Sequence, residues 1–274
     1  MRVLSLDEVK EIQLKILSEF DSFCLKNDLN YFLAGGTLIG AIRHKGYIPW
    51  DDDIDVIMPR PDYIKFINLT KQGLGPYVVK GPYNIQSKFD PPYHCTYCKI
   101  CDDRTELIEF PKTKHIVSSV YIDVFPCDGL PSDFKSIAKH YKKARIYIKL
   151  NALLNMSYYR KNMTSNTIKK IFWSLIFLIK LLLPDKIFFR KIEKLATKYD
   201  YNKSEFVGVI VAGYGLKEHM PKKVFESYIL GDFEGKKFRI PVGYDIYLSK
   251  IYGNYMELPP KNKRVGHDSI AFLK

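Results

Sequence analysis

Between Tyr31 and Pro59 the chain sets a glycine pair, Gly35-Gly36, ahead of the run Asp51-Asp52-Asp53-Ile54-Asp55. No other stretch restricts the fold so tightly. The apolar run YFLAG (31–35) reads as a strand, TLIGAIRH (37–44) as a short helix starting after Gly36, and Ile54 to Met58 as a second strand closed by Pro59 and Pro61. A glycine pair between strand and helix exposes backbone N–H groups where phosphate oxygens dock. On the second strand Asp53 and Asp55 fall on one face, because side chains alternate. Two carboxylates so placed grip divalent cations, and all-oxygen ligands suit Mg²⁺ or Mn²⁺.

A third acid comes from the strand Tyr121-Ile122-Asp123-Val124-Phe125, where a bare charge is costly unless paired or metal-bound. The plainer alternative is a solvated acidic turn at 51–55, with Asp123 bonded to a Lys or Arg; the upstream glycines and Asp123 itself weigh against it. Around this motif, Leu6, Val9, Ile12, Ile16, Leu17, Phe20 and Cys24 mark one face of a helix over 5–27 capped by Ser5, with Leu14 off that face. YVVK (77–80), YCKI (97–100) and VSSVYIDVF (117–125) read as further strands. The chain divides into a catalytic core over 1–135, a basic helical lobe over 136–200, and a segment over 201–274 that packs back and completes the site. The expected class is α+β, a mixed β-sheet flanked by helices with an additional helical lobe.

Forty-three Lys and Arg against 30 Asp and Glu give a net charge of +13, which favours a polyanionic partner. Nucleic acid is set aside, since no recognition helix or aromatic RNA-binding motif accompanies the charge. Cys95, Cys98 and Cys101, with His94 adjacent, have zinc-like spacing. On a strand Cys98 faces away from the other two, so one ion cannot collect all three. Cys24 and Cys127 read as buried small hydrophobes, and an odd count of five suits reduced thiols in the cytoplasm. The N-terminus lacks the basic head and apolar stretch of a signal peptide.

The apolar run from Ile171 to Leu183 is interrupted by Ser174 and Lys180 and is too short to cross a bilayer core of about 30 Å. Two alternatives stand. One is a helix lying on an anionic membrane, with Trp173 and the phenylalanines embedded and Lys169, Lys170, Lys186, Arg190, Lys191 and Lys194 at the headgroups. The other is a buried helix covering the sheet.

The order Gly-Gly, Asp-Ile-Asp, separate strand Asp looks like the signature of the nucleotidyltransferase superfamily. FLAGGTLIGAIRHKGYIPWDDDIDVIMPRPDY closely resembles the signature block of the LicD/fukutin family, which comprises bacterial phosphocholine transferases and eukaryotic sugar-alcohol phosphate transferases. The resemblance continues through YCKICDDRTELIE, SSVYIDVFPCDGLPSD and FEGKKFRIPVGYDIYLSKIYGNYMELPPKNKRVGH, and is weakest over 140–200.

The resemblance implies a nucleotidyltransferase-like sheet in which Asp53 and Asp55 bind metal, with Asp123 as third ligand or as the base. It implies that Gly35, Gly36 and Thr37 cradle donor phosphates, that Arg43, Lys45 and Lys99 contact the pyrophosphate, that Trp50 and Asp51 shape the pocket, and that Arg264 and His267 reach substrate from the last block. The expected reaction moves phosphocholine from CDP-choline to a sugar hydroxyl of a teichoic acid or another lipid-linked glycan precursor. CMP leaves, Mg²⁺ or Mn²⁺ assists, and the enzyme works in the cytoplasm, peripheral at the inner face of the membrane. The alternatives are a CDP-ribitol or CDP-glycerol donor, a true nucleotidyltransferase that releases pyrophosphate, or an inactive membrane-associated scaffold.

Overall fold

A computed structural model describes residues 1–81, 95–109, 116–184, 186–211, 214–267 and 269–274. β1 (Arg2–Val3) leads into α1 (Leu6–Lys26), whose start is closed reciprocally: the Glu8 amide donates to Ser5 Oγ at 3.2 Å, and the Ser5 amide donates to the Glu8 carboxylate at 2.8 Å. Ile16, Leu17, Phe20 and Cys24 are buried in the main core as the helical spacing predicts. Leu6, expected on that face, is exposed in the first turn. Gln13 occupies a buried place on it instead.

The chain continues through β2 (Phe32–Leu33), α2 (Gly35–Ile39) with a π-helical turn at Gly40–His44, β3 (Asp55–Pro59), α3 (Arg60–Leu69), β4 (Val78–Lys80), β5 (Cys98–Glu109) and β6 (Ile116–Gly129). A helical stretch follows: α4 (Phe134–Met163), α5 (Thr167–Leu182) and α6 (Ile187–Ala196). The remaining chain supplies β7 (Phe206–Gly208), β8 (Met220–Pro221), the hairpin β9 (Tyr228–Phe233) and β10 (Lys236–Pro241), α7 (Tyr244–Tyr252) and β11 (Ser269–Leu273).

The main sheet runs β1-β11-β5-β6-β3-β2, with β4 also on β5, and with β7 and then β8 added beside β6. Every pairing is antiparallel except β3 with β6, which makes the sheet mixed and the fold α+β. The parallel pairing sets Asp55 directly opposite Asp123. The antiparallel neighbour β5 sets Lys99 opposite Asp123 on its other side. Three ionisable residues thus meet across three strands.

Local boundaries differ from expectation at the motif. The helix opens at Gly35, not after Gly36, and Gly35 turns the chain into it with a positive φ of 54° that glycine adopts without strain. Ladder pairing of β3 starts at Asp55, so Asp53 lies in the preceding loop and not on a shared strand face. A turn from Ile48 to Asp51 (amide to carbonyl, 2.9 Å) and a hydrogen bond from Gln13 Nε2 to the Asp52 carbonyl (2.8 Å) hold that loop out of the ladder. Likewise β5 begins at Cys98, leaving Cys95 outside the strand, and His94 lies outside the described residues.

In the lobe, α4 packs on both α5 and α6. The lobe is tied to the core by a buried ionic triad: Arg60 at the start of α3 reaches Asp128 on β6 at 2.5 Å and Glu193 on α6 at 3.4 Å. α5 buries none of its residues fully, so it is not a helix enclosed over the sheet.

Candidate active site

The site forms where α2 and the 51–55 loop meet the first residue of β3. Thr37 Oγ1 accepts from the Asp55 amide at 2.9 Å, and Ala34 donates to the Asp55 carbonyl at 3.0 Å, which fixes the start of β3 against α2. A Cβ on Gly35 would stand 2.6 Å from Asp55 Oδ2, and one on Gly36 would collide with Asp51 Oδ2. The glycine pair therefore makes room for carboxylates packed against backbone. In this structure Gly35 and Gly36 face acids and Thr37 is engaged with Asp55, the arrangement from which any phosphate cradle would have to open.

Asp51, Asp53 and Asp55 line a cavity of about 610 Å³ together with Gly36, Trp50, Tyr214, Tyr252 and His267. Burial, and then the neighbouring Asp51 charge, pushes the Asp53 carboxyl up to about 7; burial, Asp53 and Asp123 push Asp55 well above the usual carboxylate range. Asp123 sits behind this floor, 7% exposed, with Lys99 Nζ at 2.8 Å. Its carboxyl is raised by burial to about 6 despite that partner. Lys99 is thus the internal counter-charge of Asp123, and its ammonium also lies 3.2 Å over the Tyr121 ring.

Three ligand atoms, from Asp51, Asp53 and His267, lie within 4.8 Å of one another, the only such group among the described residues. Cys95, Cys98 and Cys101 form no disulfide, and Cys98 Sγ accepts from the Tyr63 hydroxyl at 3.1 Å. His267 Nδ1 donates to Asp52 Oδ1 at 2.6 Å, and this bond, with the surrounding aspartates, raises the imidazole to about 9. His267 is committed to Asp52 through that nitrogen, so the carboxylates are the available hard-cation ligands. Half-buried acids that repel one another, countered only by Lys99 and His267, leave negative charge that a divalent cation would balance, and the oxygen donors fit Mg²⁺ or Mn²⁺.

Cations border the same cavity. Arg43 and Lys263 line it, and Arg43 donates to the carbonyls of Tyr255 (2.6 Å) and Glu257 (3.0 Å), pinning the C-terminal segment to the π turn. Arg264 lies 5.4 Å over the Trp50 ring, close enough to lower the Arg43 pKa after burial has done so. Lys45 does not line that cavity. It is exposed, takes a left-handed φ of 62° at the end of the π turn, and accepts at its carbonyl from Glu234. A larger groove of about 950 Å³ lies at the other end of β3, past Pro59 and Pro61, away from the Asp51–Asp55 floor.

Sequence patterns pass over several residues that the structure brings in. Gln13 holds the carbonyls of both Asp52 and Tyr121, bridging the loop to β6, and its signal is a polar residue on an apolar helix stripe. Asp52 anchors His267. Tyr214 and Tyr252, with rings 5.1 Å apart and hydroxyls 2.7 Å apart, form an aromatic wall for which one sequence offers no signal.

A mixed sheet with a glycine-opened helix and clustered strand-end aspartates defines a nucleotidyltransferase-type fold. A family model described as LicD/FKTN/FKRP, nucleotidyltransferase domain, matches residues 28–144. The chain is 34% identical over 276 residues to the lipopolysaccharide cholinephosphotransferase LicD of Haemophilus influenzae, covering 97% of each protein. An uncharacterised protein of Rickettsia typhi is 28% identical over 145 residues, 52% of this chain and 43% of that one. The chain belongs to the LicD family and is a transferase.

Proposed function

We propose that the enzyme transfers phosphocholine from CDP-choline to a sugar hydroxyl of a cell-surface glycan precursor and releases CMP. The observation that carries this is one cavity with an acidic floor (Asp51, Asp53, Asp55), a cationic border (Arg43, Lys263) and an aromatic wall (Tyr214, Tyr252). The near full-length similarity to a cholinephosphotransferase supports the choline moiety. The acceptor in this reading is lipid-linked, as a teichoic acid or lipopolysaccharide precursor is, and the enzyme works at the cytoplasmic face of the membrane.

Asp53 and Asp55 would hold a divalent cation, with Asp51 and Asp123 adjacent. When bound, Mg²⁺ or Mn²⁺ neutralises charge on the donor pyrophosphate and polarises the phosphoryl group being transferred. Arg43 and Lys263 bind the nucleotide side of the pyrophosphate, where the leaving CMP gathers negative charge. Tyr214 and Tyr252 receive the trimethylammonium group, an attraction of about 0.5 to 2 kcal/mol. The acceptor hydroxyl attacks the β-phosphorus, a new oxygen–phosphorus bond forms, and the bond from that phosphorus to the bridging oxygen breaks. The hydroxyl proton passes to Asp51, whose proton affinity burial and the neighbouring Asp52 charge raise.

Incubating enzyme, Mn²⁺, CDP-choline and a glycan acceptor and resolving the by-products tests this reading. CMP and labelled glycan in equal amounts are expected. Pyrophosphate in place of CMP makes the enzyme a nucleotidyltransferase, and turnover with CDP-ribitol but not CDP-choline reassigns the donor.

A further inference from the structure

The positive charge of the chain is concentrated in one place. From Phe134 to Pro184 there are eleven Lys and Arg and no Asp or Glu, whereas the rest of the chain is nearly balanced, with 32 Lys and Arg against 30 Asp and Glu. Within that stretch α5 turns Ile168, Ile171, Phe172, Leu175, Leu178 and Leu182 to solvent, each 50% to 86% exposed. Their spacing of three and four residues puts them on one stripe of the helix. The half-buried residues between them, Trp173, Ile176 and Phe177, lie off that stripe. Lys169 and Lys170 are exposed at the start of the helix, and Arg190 and Lys194 are exposed on α6.

An apolar stripe this continuous on a soluble surface marks a docking site, and charge selects what docks. A second copy would bring another Phe134–Pro184 stretch of eleven cations without an acid, and the two would repel. An anionic lipid surface offers the opposite sign together with hydrocarbon that needs no hydrogen bonds. Sixteen residues span about 24 Å as a helix, short of a bilayer core of about 30 Å. No described helix is long and apolar enough to cross a membrane.

We propose that α5 lies in the plane of an anionic bilayer, its exposed stripe in the acyl boundary and the flanking lysines at the headgroups. The lobe is continuous with the active site: α4 packs on Gly215–Glu218, the turn that begins beside cavity-lining Tyr214. Docking α5 therefore holds the cavity near lipid-anchored substrates. This gives the membrane contact of the proposed function a surface, yet vesicle binding is measured without turnover, so the two stand or fall separately.

The test is cosedimentation of the full-length protein with vesicles of phosphatidylcholine alone or with about a third phosphatidylglycerol. The wild type is expected to sediment with the anionic vesicles and to be released as salt rises. Leu175→Glu/Leu178→Glu and, separately, Lys169→Glu/Lys170→Glu are each expected to lower partitioning about tenfold, with unchanged melting and unchanged turnover on a soluble acceptor. Absence of wild-type binding to anionic vesicles overturns the proposal, as does equal binding by both variants. A concentration-dependent dimer that Leu175→Glu/Leu178→Glu dissociates, without vesicle binding, makes the stripe an interface between copies and also overturns it.

Discussion

The 51–55 loop and α5 break the same rule in opposite directions. In the first, carboxylates that water would stabilise are drawn under a helix and two strands; in the second, apolar side chains that the core would stabilise are left outside. Several other buried polar groups are matched: Asp123 has Lys99, Asp128 has Arg60, and Gln13 satisfies two carbonyls. In both regions a ligand would supply a missing partner, a cation for the acids and, on the proposal above, lipid for the stripe.

The largest expected effect comes from removing one of the unmatched acids. Asp55→Asn should lower turnover about 10³-fold or more, since charge stabilisation at the phosphoryl group is worth several kcal/mol. It should leave the melting temperature of the metal-free protein unchanged or higher, because the substitution relieves repulsion from Asp53 and Asp123. Activity assays and melts of the same sample decide it. A melt that falls together with activity would make Asp55 a fold residue and erase the contrast with Asp128.

Matched and unmatched groups should then separate under denaturant. Arg60→Ala leaves Asp128 and Glu193 without the cation between them, and urea titration should show a loss of about 3 kcal/mol. Leu175→Ser on the exposed stripe should lose less than about 1 kcal/mol. Similar losses would show that α5 is held as tightly as the core.

How much of this was legible in the sequence follows the same division. The glycine pair, the aspartate run and the lone Asp123 carry local chemistry that survives without coordinates, so strands beside a short helix with acids at their ends are readable from the residues, whereas the mixed sheet is implied only by the family resemblance. The sequence could not show that Asp53 sits off the strand, because Gln13 on α1 and a turn at Ile48 bend the loop, and both contacts are remote or irregular. Nor could it show Lys99 opposite Asp123, which depends on the register of β5 against β6. For α5 the pattern was ambiguous by nature: a helix apolar nearly all round looks the same whether protein or lipid covers it. The exposure of the Ile168–Leu182 stripe shows that this chain's own core does not cover it.

The smallest effect expected concerns the bond that closes the cavity from the C-terminal side. Asp52 and the neighbouring aspartates raise His267 from about 6.5 to about 9. A group whose folded pKa is raised contributes stability that is complete below its unfolded value and is lost as pH rises through the folded one. The His267 contribution is therefore full below about pH 6.5 and gone above about 9. The imidazole is 65% exposed, so solvent screening keeps it under about 1 kcal/mol. Melts of wild type and His267→Gln in chelator should differ most near pH 6 and converge as pH passes 9. If the gap instead persists at high pH, His267 holds the segment by packing and neutral hydrogen bonding, and the cavity is closed by shape alone without the electrostatic coupling that the acidic floor implies.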